Sequence, residues 1–335
     1  MVGATGEMGR RICRLLERWT PGARVIGASR SGQAERRVDI TDEASVARAL
    51  EGVSLLVNAV GPYVYDPGPV IRACARACVP YADLTDDAAW LAAVAEAASA
   101  CGAEAAGVAV VPGCSTVPGL VSVLASRWAE RGDVASLAAF LSMGSANPPS
   151  RGLLAGLLAP LGRPRPDGGR WFASVTEETI SDGRKLRFGA WPAPTGGLAL
   201  GARHVPLRFH AGFDRAWITT GLRLAAPVLG RLPERWVPKL AALALPVAQL
   251  ARLFGTPRGV LLLRAEDHAG AELDRVELVA AADGLDVPAA PVVWLVQRLL
   301  AKGIEGGGVR DLADVVERAD AVAWLREAGF ELRGS

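Results

Sequence analysis

Gly3-Ala4-Thr5-Gly6-Glu7-Met8-Gly9 decides the reading of this chain. Its glycines recur every third residue, immediately before a stretch in which Met8, Ile12, Leu15, Leu16 and Trp19 fall on one helical face. Glycine allows a tight turn and a close backbone approach. The N-terminus of the helix that follows offers unpaired N–H groups and the positive end of a dipole. The pattern therefore predicts a strand–turn–helix that cradles a dinucleotide pyrophosphate on Gly3, Ala4, Thr5, Gly6, Glu7 and Met8. Only Met1 and Val2 stand before the turn, where a strand of several residues is expected, which predicts a start displaced from the natural one.

Outward from the turn, short apolar strands alternate with helices. Strands are expected at 24–28, 54–60, 81–84 and 107–111, and helices at 7–19, 45–50, 67–78, 86–101 and 119–129. After about residue 130 the rhythm changes to longer strands, at 137–143, 170–180, 185–188, 260–266 and 274–281. Two apolar segments follow one another between 218 and 254, and helices are expected at 288–302 and 312–328. The predicted class is α/β: an N-terminal Rossmann domain with a doubly wound parallel sheet over 1–130, and a second α+β domain over 131–335. The C-terminal helices are expected to pack back on the first domain.

The end of the second Rossmann strand faces the adenosine ribose. An acid there accepts hydrogen bonds from a 2′-hydroxyl and repels a 2′-phosphate. This chain has Ser29-Arg30-Ser31, a guanidinium between two hydroxyls, which favours NADP(H) over NAD(H). A solvated surface arginine is the alternative. Asp39, after the third strand, is expected to flank the adenine.

From Ser54 to Tyr63 the sequence resembles the saccharopine dehydrogenase family, in which an apolar strand ends in Asn-x-x-Gly-Pro-aromatic; here this is Asn58-Ala59-Val60-Gly61-Pro62-Tyr63. The likeness continues through Pro69-Val70-Ile71-Arg72-Ala73-Cys74 and Val79-Pro80-Tyr81-Ala82-Asp83-Leu84-Thr85, and returns at Gly107 to Cys114. The second half is similar in layout only. The resemblance implies a nicotinamide over Asn58, Ala59, Val60 and Gly61, and hydride transfer to or from a C=N, C=C or C=O group of a small molecule. It implies that the second domain, 131–335, serves for substrate binding and dimerisation in a homodimer, and leaves the identity of the substrate open. A short-chain dehydrogenase, the rival with a Gly-Ala-Thr-Gly start, would use Tyr-x-x-x-Lys; Ser181, Arg235 and Arg298 stand four residues before the lysines instead.

Tyr63 is the first candidate proton donor, and Asp83, ending the next strand, is the candidate to orient a substrate amine or a water. The plainer readings are a pocket wall for Tyr63 and a helix cap for Asp83. With no unambiguous acid–base pair, a catalytically silent dinucleotide sensor or scaffold is the competing function. Nothing in the sequence places His204 or His210 in the site.

Composition narrows the remainder. Thirty-seven basic residues are matched by 35 acids, and without a basic block nucleic acid is not an expected partner. The five cysteines form no Cys-x-x-Cys pair and no histidine or acid pair completes a metal site, so no metal is predicted and a reducing, cytoplasmic setting is. The stretch 240–254 is too short to span a bilayer and reads as a buried or interfacial helix; docking of 218–254 on a membrane surface is the third reading carried forward.

Overall fold

The computed structural model describes residues 1–282 and 284–334, and these divide into two compact units. Residues 1–127 and 286–324 form the first, and residues 128–285 and 325–335 the second.

The first unit is built on a parallel sheet. Val2 bridges Ala28 on one side and Asn58 on the other. The strand Ala28–Ser29 pairs with Arg36–Arg37, and Leu56–Asn58, Tyr81–Asp83, Ala109–Val111 and Gly308–Val309 follow in order on the far side of Val2. Chain order reverses about Val2, which is the topological switch point of a Rossmann sheet. The predicted α/β class is what the structure shows. The expected strand 24–28 is realised only at its end, in Ala28–Ser29; there the Ala28 N–H donates to Met1 O at 2.8 Å, and the N–H groups of Gly3 and Ala4 both donate to Ala28 O.

Helix Glu7–Trp19 buries Ile12, Leu15 and Leu16, the face its spacing predicted. Asp42 caps helix Glu43–Ala49 by accepting from the Ala44 N–H, and Asp87 caps Ala88–Ala100 by accepting from the Trp90 N–H. Val46, Val70, Ile71, Tyr81, Trp90 and Val94 fill the core between helices and sheet.

The second unit carries a mixed sheet in the order Glu331–Arg333, Glu272–Ala280, Gly259–Glu266, Ser136–Met143, Arg203–Phe213, Lys185–Trp191, Val175–Thr179. Ser136–Met143 and Arg203–Phe213 run parallel; their other neighbours are antiparallel. Phe140 packs edge-on against Phe188 at 5.4 Å, with Ile180, Leu262 and Val279 around them. Inside this sheet Glu266 is fully buried, and it accepts hydrogen bonds from Arg264, Arg208 and Ser136. Helices Ala216–Leu229 and Val237–Ala251 cover the 218–254 region. The expected helix 312–328 is divided into Leu312–Val315 and Arg318–Glu327, since Val316 is extended (φ −109°, ψ 124°).

Candidate functional site

The Gly3 turn sits where the sheet reverses. Gly3 has φ +84°, and a Cβ there would meet Ala59 O at 2.8 Å; a Cβ on Gly9 would meet Gly3 O at 2.1 Å. Both positions therefore require glycine, the first for the turn and the second for helix-to-strand packing. The helix that follows has Gly6 at its N-cap with no side-chain cap, unlike those capped by Asp42 and Asp87. Its first N–H groups are left to an incoming acceptor. The guanidinium of Arg10 donates to Thr5 O and pairs with Glu7 at 3.2 Å, bringing a cation to the turn that sequence reasoning did not single out.

Ala28 O holds one flank of the turn, and Val2 O the other by accepting from the Ala59 N–H at 2.9 Å. Gly3 to Met8, Ser29 to Ser31 and Asn58 to Gly61 thus converge at the carboxyl edge of the sheet. Ser29 is buried with its hydroxyl 3.3 Å from that of Ser31, while Arg30 is exposed between them. Asp39 accepts from the hydroxyl of Thr41 at 2.7 Å and from its N–H at 3.0 Å. The Thr41 hydroxyl, with its N–H and the nearby Arg30, holds the Asp39 carboxyl below the usual range.

Beneath this edge lies a buried polar network. Asn58 donates to Tyr65 Oη at 2.9 Å and to Tyr81 Oη at 3.0 Å, and its Oδ1 accepts from the Val60 N–H. The Tyr81 hydroxyl donates to Asp83 Oδ2 at 2.9 Å, where the Trp90 indole also donates at 2.8 Å. Asp83 Oδ1 accepts from the N–H groups of Gly113 (2.9 Å) and Thr85 (3.1 Å). Asp83 is fully buried; burial raises its pKa, and these four donors offset part of that rise. Tyr63 donates to Asn58 O at 2.9 Å and accepts from the Leu84 N–H at 3.1 Å. Burial, then the Asp83 charge, pushes its hydroxyl pKa well above the ordinary value.

The structure thus brings Asn58, Tyr63 and Asp83 together. It adds Tyr65, Tyr81, Trp90 and Gly113, which sequence reasoning missed. A signal was present: the chain's three tyrosines all fall between 63 and 81. His204 and His210 belong to strand Arg203–Phe213 of the second unit.

No protein-family model matches the sequence, and no curated protein matches it. Among solved structures, apo saccharopine dehydrogenase (L-Glu forming) from Saccharomyces cerevisiae is similar over 99% of this chain and 98% of its own, with a TM-score of 0.58 at 11% identity. A C. glutamicum DAP dehydrogenase in complex with DAP gives 0.49 at 17% identity over 98% and 97%. An engineered D-amino acid dehydrogenase bound to NADP+ gives 0.47 at 16% over 94% and 92%. The first of these likenesses carries the structural conclusion: this chain has the fold of a saccharopine dehydrogenase, a parallel Rossmann sheet accompanied by a mixed sheet.

Proposed function

We propose that the protein is an NADP(H)-dependent oxidoreductase of saccharopine dehydrogenase-like type, transferring hydride to or from a C=N, C=C or C=O group of a small molecule. One observation carries the reading: the glycine turn, the Ser29–Arg30–Ser31 segment and the Asn58–Gly61 loop meet at one sheet edge, beside a helix start that lacks a side-chain cap. The bare N–H groups of that helix and the Gly3 cradle fit a pyrophosphate. Arg30 would hold the 2′-phosphate and the Asn58–Gly61 loop would support the nicotinamide, which supplies the hydride when bound. Tyr63 and Asp83 serve as positioning residues, fixing the loop through Asn58 O and the ends of neighbouring strands. For Tyr63 to donate a proton to substrate, its hydroxyl must first leave Asn58 O.

That same engagement favours the second reading, a silent dinucleotide-binding sensor or scaffold, because the acid and the phenol nearest the site are both committed to protein partners. Titration with NADPH and NADH, followed by cofactor oxidation against imines, enones and keto acids, separates the readings. Turnover supports the enzyme; binding without turnover on any of these supports the sensor. NADPH should bind tighter than NADH, and Arg30→Ala should weaken NADPH alone by about 1.5–3 kcal/mol, the scale of a hydrogen bond to a charged group. Equal affinities in the parent protein would remove the NADP preference.

A further inference from the structure

The apolar segment expected as a buried or interfacial helix turns a stripe of large side chains outward. Glu234–Phe254 is a helical run of 21 residues, longer than the apolar stretch suggested and sufficient by length and composition to cross a bilayer. Within its central helix Val237–Ala251 only Ala241 is buried. Leu243, Val247 and Leu250 are 74%, 69% and 61% exposed, and Trp236 and Phe254 continue the stripe at either end at helical spacing. Ala241 packs inward with Leu240 and Leu245 half-buried on either side, while Leu243, Val247 and Leu250 form an apolar stripe on the outer face, which a core helix would not show. Helix Ala216–Leu229 carries a second exposed stripe of Trp217, Leu224 and Val228.

Charge identifies what covers this surface. Residues 214–254 hold six basic side chains (Arg215, Arg223, Arg231, Arg235, Lys239 and Arg252) and two acids, Glu234 and the Asp214 that pairs with Arg215, a net +4 in a chain whose total is +2. The rest of the chain is therefore −2. Two copies meeting here would oppose +4 to +4, whereas an anionic surface would complement it. Lys239 lies over the Trp236 ring at 5.2 Å, an aromatic and a cation together at the margin of an apolar stripe.

We propose that the outer face of Val237–Ala251 docks this protein on an anionic lipid bilayer, with Leu243, Val247 and Leu250 entering the acyl boundary and Arg235 and Lys239 meeting lipid phosphates. The helix lies on the membrane and does not cross it. It packs against helix Arg151–Leu158, and its C-terminal end is tied down where Arg252 donates to Ala146 O at 2.9 Å and Arg215 to Phe254 O at 2.7 Å. Crossing would also strip Glu234, Arg235, Lys239 and Arg252 of water. The proposal is independent of the dehydrogenase reading.

The test is co-sedimentation of the full chain with phosphatidylcholine vesicles, plain or carrying about 30% phosphatidylglycerol, the anionic probe. The protein should pellet with the anionic vesicles and stay in solution with the plain ones. Leu243→Gln with Leu250→Gln should lower the partition coefficient about tenfold or more by removing apolar insertion. Arg235→Gln with Lys239→Gln should do so by a similar factor through charge. The altered side chains are exposed, so melting curves should match the parent. A parent protein that stays in solution with anionic vesicles, or variants that bind as the parent does, would overturn the proposal. So would a parent dimer that Leu243→Gln/Leu250→Gln converts to monomer without any vesicle binding, since the face would then seat a second copy.

Discussion

Asp83 holds a carboxylate where water does not reach, with the Tyr81 hydroxyl, the Trp90 indole and the N–H groups of Gly113 and Thr85 in water's place. All four donate to it, so an amide at this position sets its NH2 either against the N–H groups of Gly113 and Thr85 or against the Trp90 indole, with the Tyr81 hydroxyl then losing its acceptor. Asp83→Asn should therefore destabilise the protein by about 2–4 kcal/mol, the cost of buried donors left without acceptors. Urea unfolding measures this. An unchanged midpoint accompanied by lost activity would instead make Asp83 a group that acts on substrate. At this scale the glycines were legible, because Gly3 and Gly9 answer to backbone geometry that the spacing encodes. The bonds from Asn58 to Tyr65 and Tyr81, and from Gly113 to Asp83, were not. They depend on the register of three neighbouring strands, which no local pattern carries.

Strand Arg203–Phe213 shows how an element confers a property on one residue. It runs through the middle of the second sheet, and His210 on it stacks on Phe140 at 4.7 Å and 14°. Burial first, then Arg208, Arg165 and Arg264, lowers the His210 pKa from 6.5 to about 4. Its Nδ1 is buried without a hydrogen-bond partner among the described residues. Between pH 6.5 and about 4 the unfolded chain takes up a proton at this site that the folded one refuses. Folding stability from His210 is thus present above that window and lost as pH falls through it. The loss amounts to about 2–3 kcal/mol between pH ~7 and ~4.5. His210→Phe keeps an aromatic ring against Phe140 and removes the titration, so its stability should fall less than the parent's by that amount over the same range. Parallel stability–pH curves would assign the acid sensitivity to other groups. Elements with strong periodicity were readable in advance, as in Glu7–Trp19 and Gly259–Glu266. The two-residue strands Arg36–Arg37 and Gly308–Val309 were not, because each exists only through its ladder partner. In Val237–Ala251 composition left a buried and an interfacial helix both open, because which side of a helix meets the protein is a tertiary fact.

At the scale of the whole chain, the first unit is discontinuous in sequence: residues 286–324 complete what residues 1–127 begin. Helix Ala290–Lys302 buries Val292, Val293, Trp294 and Leu295, and Gln297 donates to Trp19 O at 3.2 Å. Trp324 lies edge-on to Trp19 at 5.4 Å and to Trp294 at 6.2 Å, and Arg11 pairs with Asp286 at 2.5 Å. Gly308–Val309 supplies the outermost strand, with the Gly308 N–H on Val108 O and the Arg310 N–H on Val110 O. A fragment ending at residue 130, where the strand–helix rhythm stops, would hold every proposed cofactor contact and lack all of this. Burying an apolar side chain of this size stabilises by about 1.5–3 kcal/mol, so the four on that helix alone amount to about 6–12 kcal/mol as an upper bound. A typical domain has only about 5–15 kcal/mol in total. The 1–130 fragment should therefore show no cooperative unfolding transition and no measurable NADPH affinity, although its glycine turn is intact. Near-ultraviolet circular dichroism, thermal melts and NADPH titration of the fragment beside the full chain would check this. A fragment that melts sharply and binds as the full chain does would show that the Rossmann sheet stands without its C-terminal elements, and that the helix Ala290–Lys302 contributes packing which the cofactor site does not need.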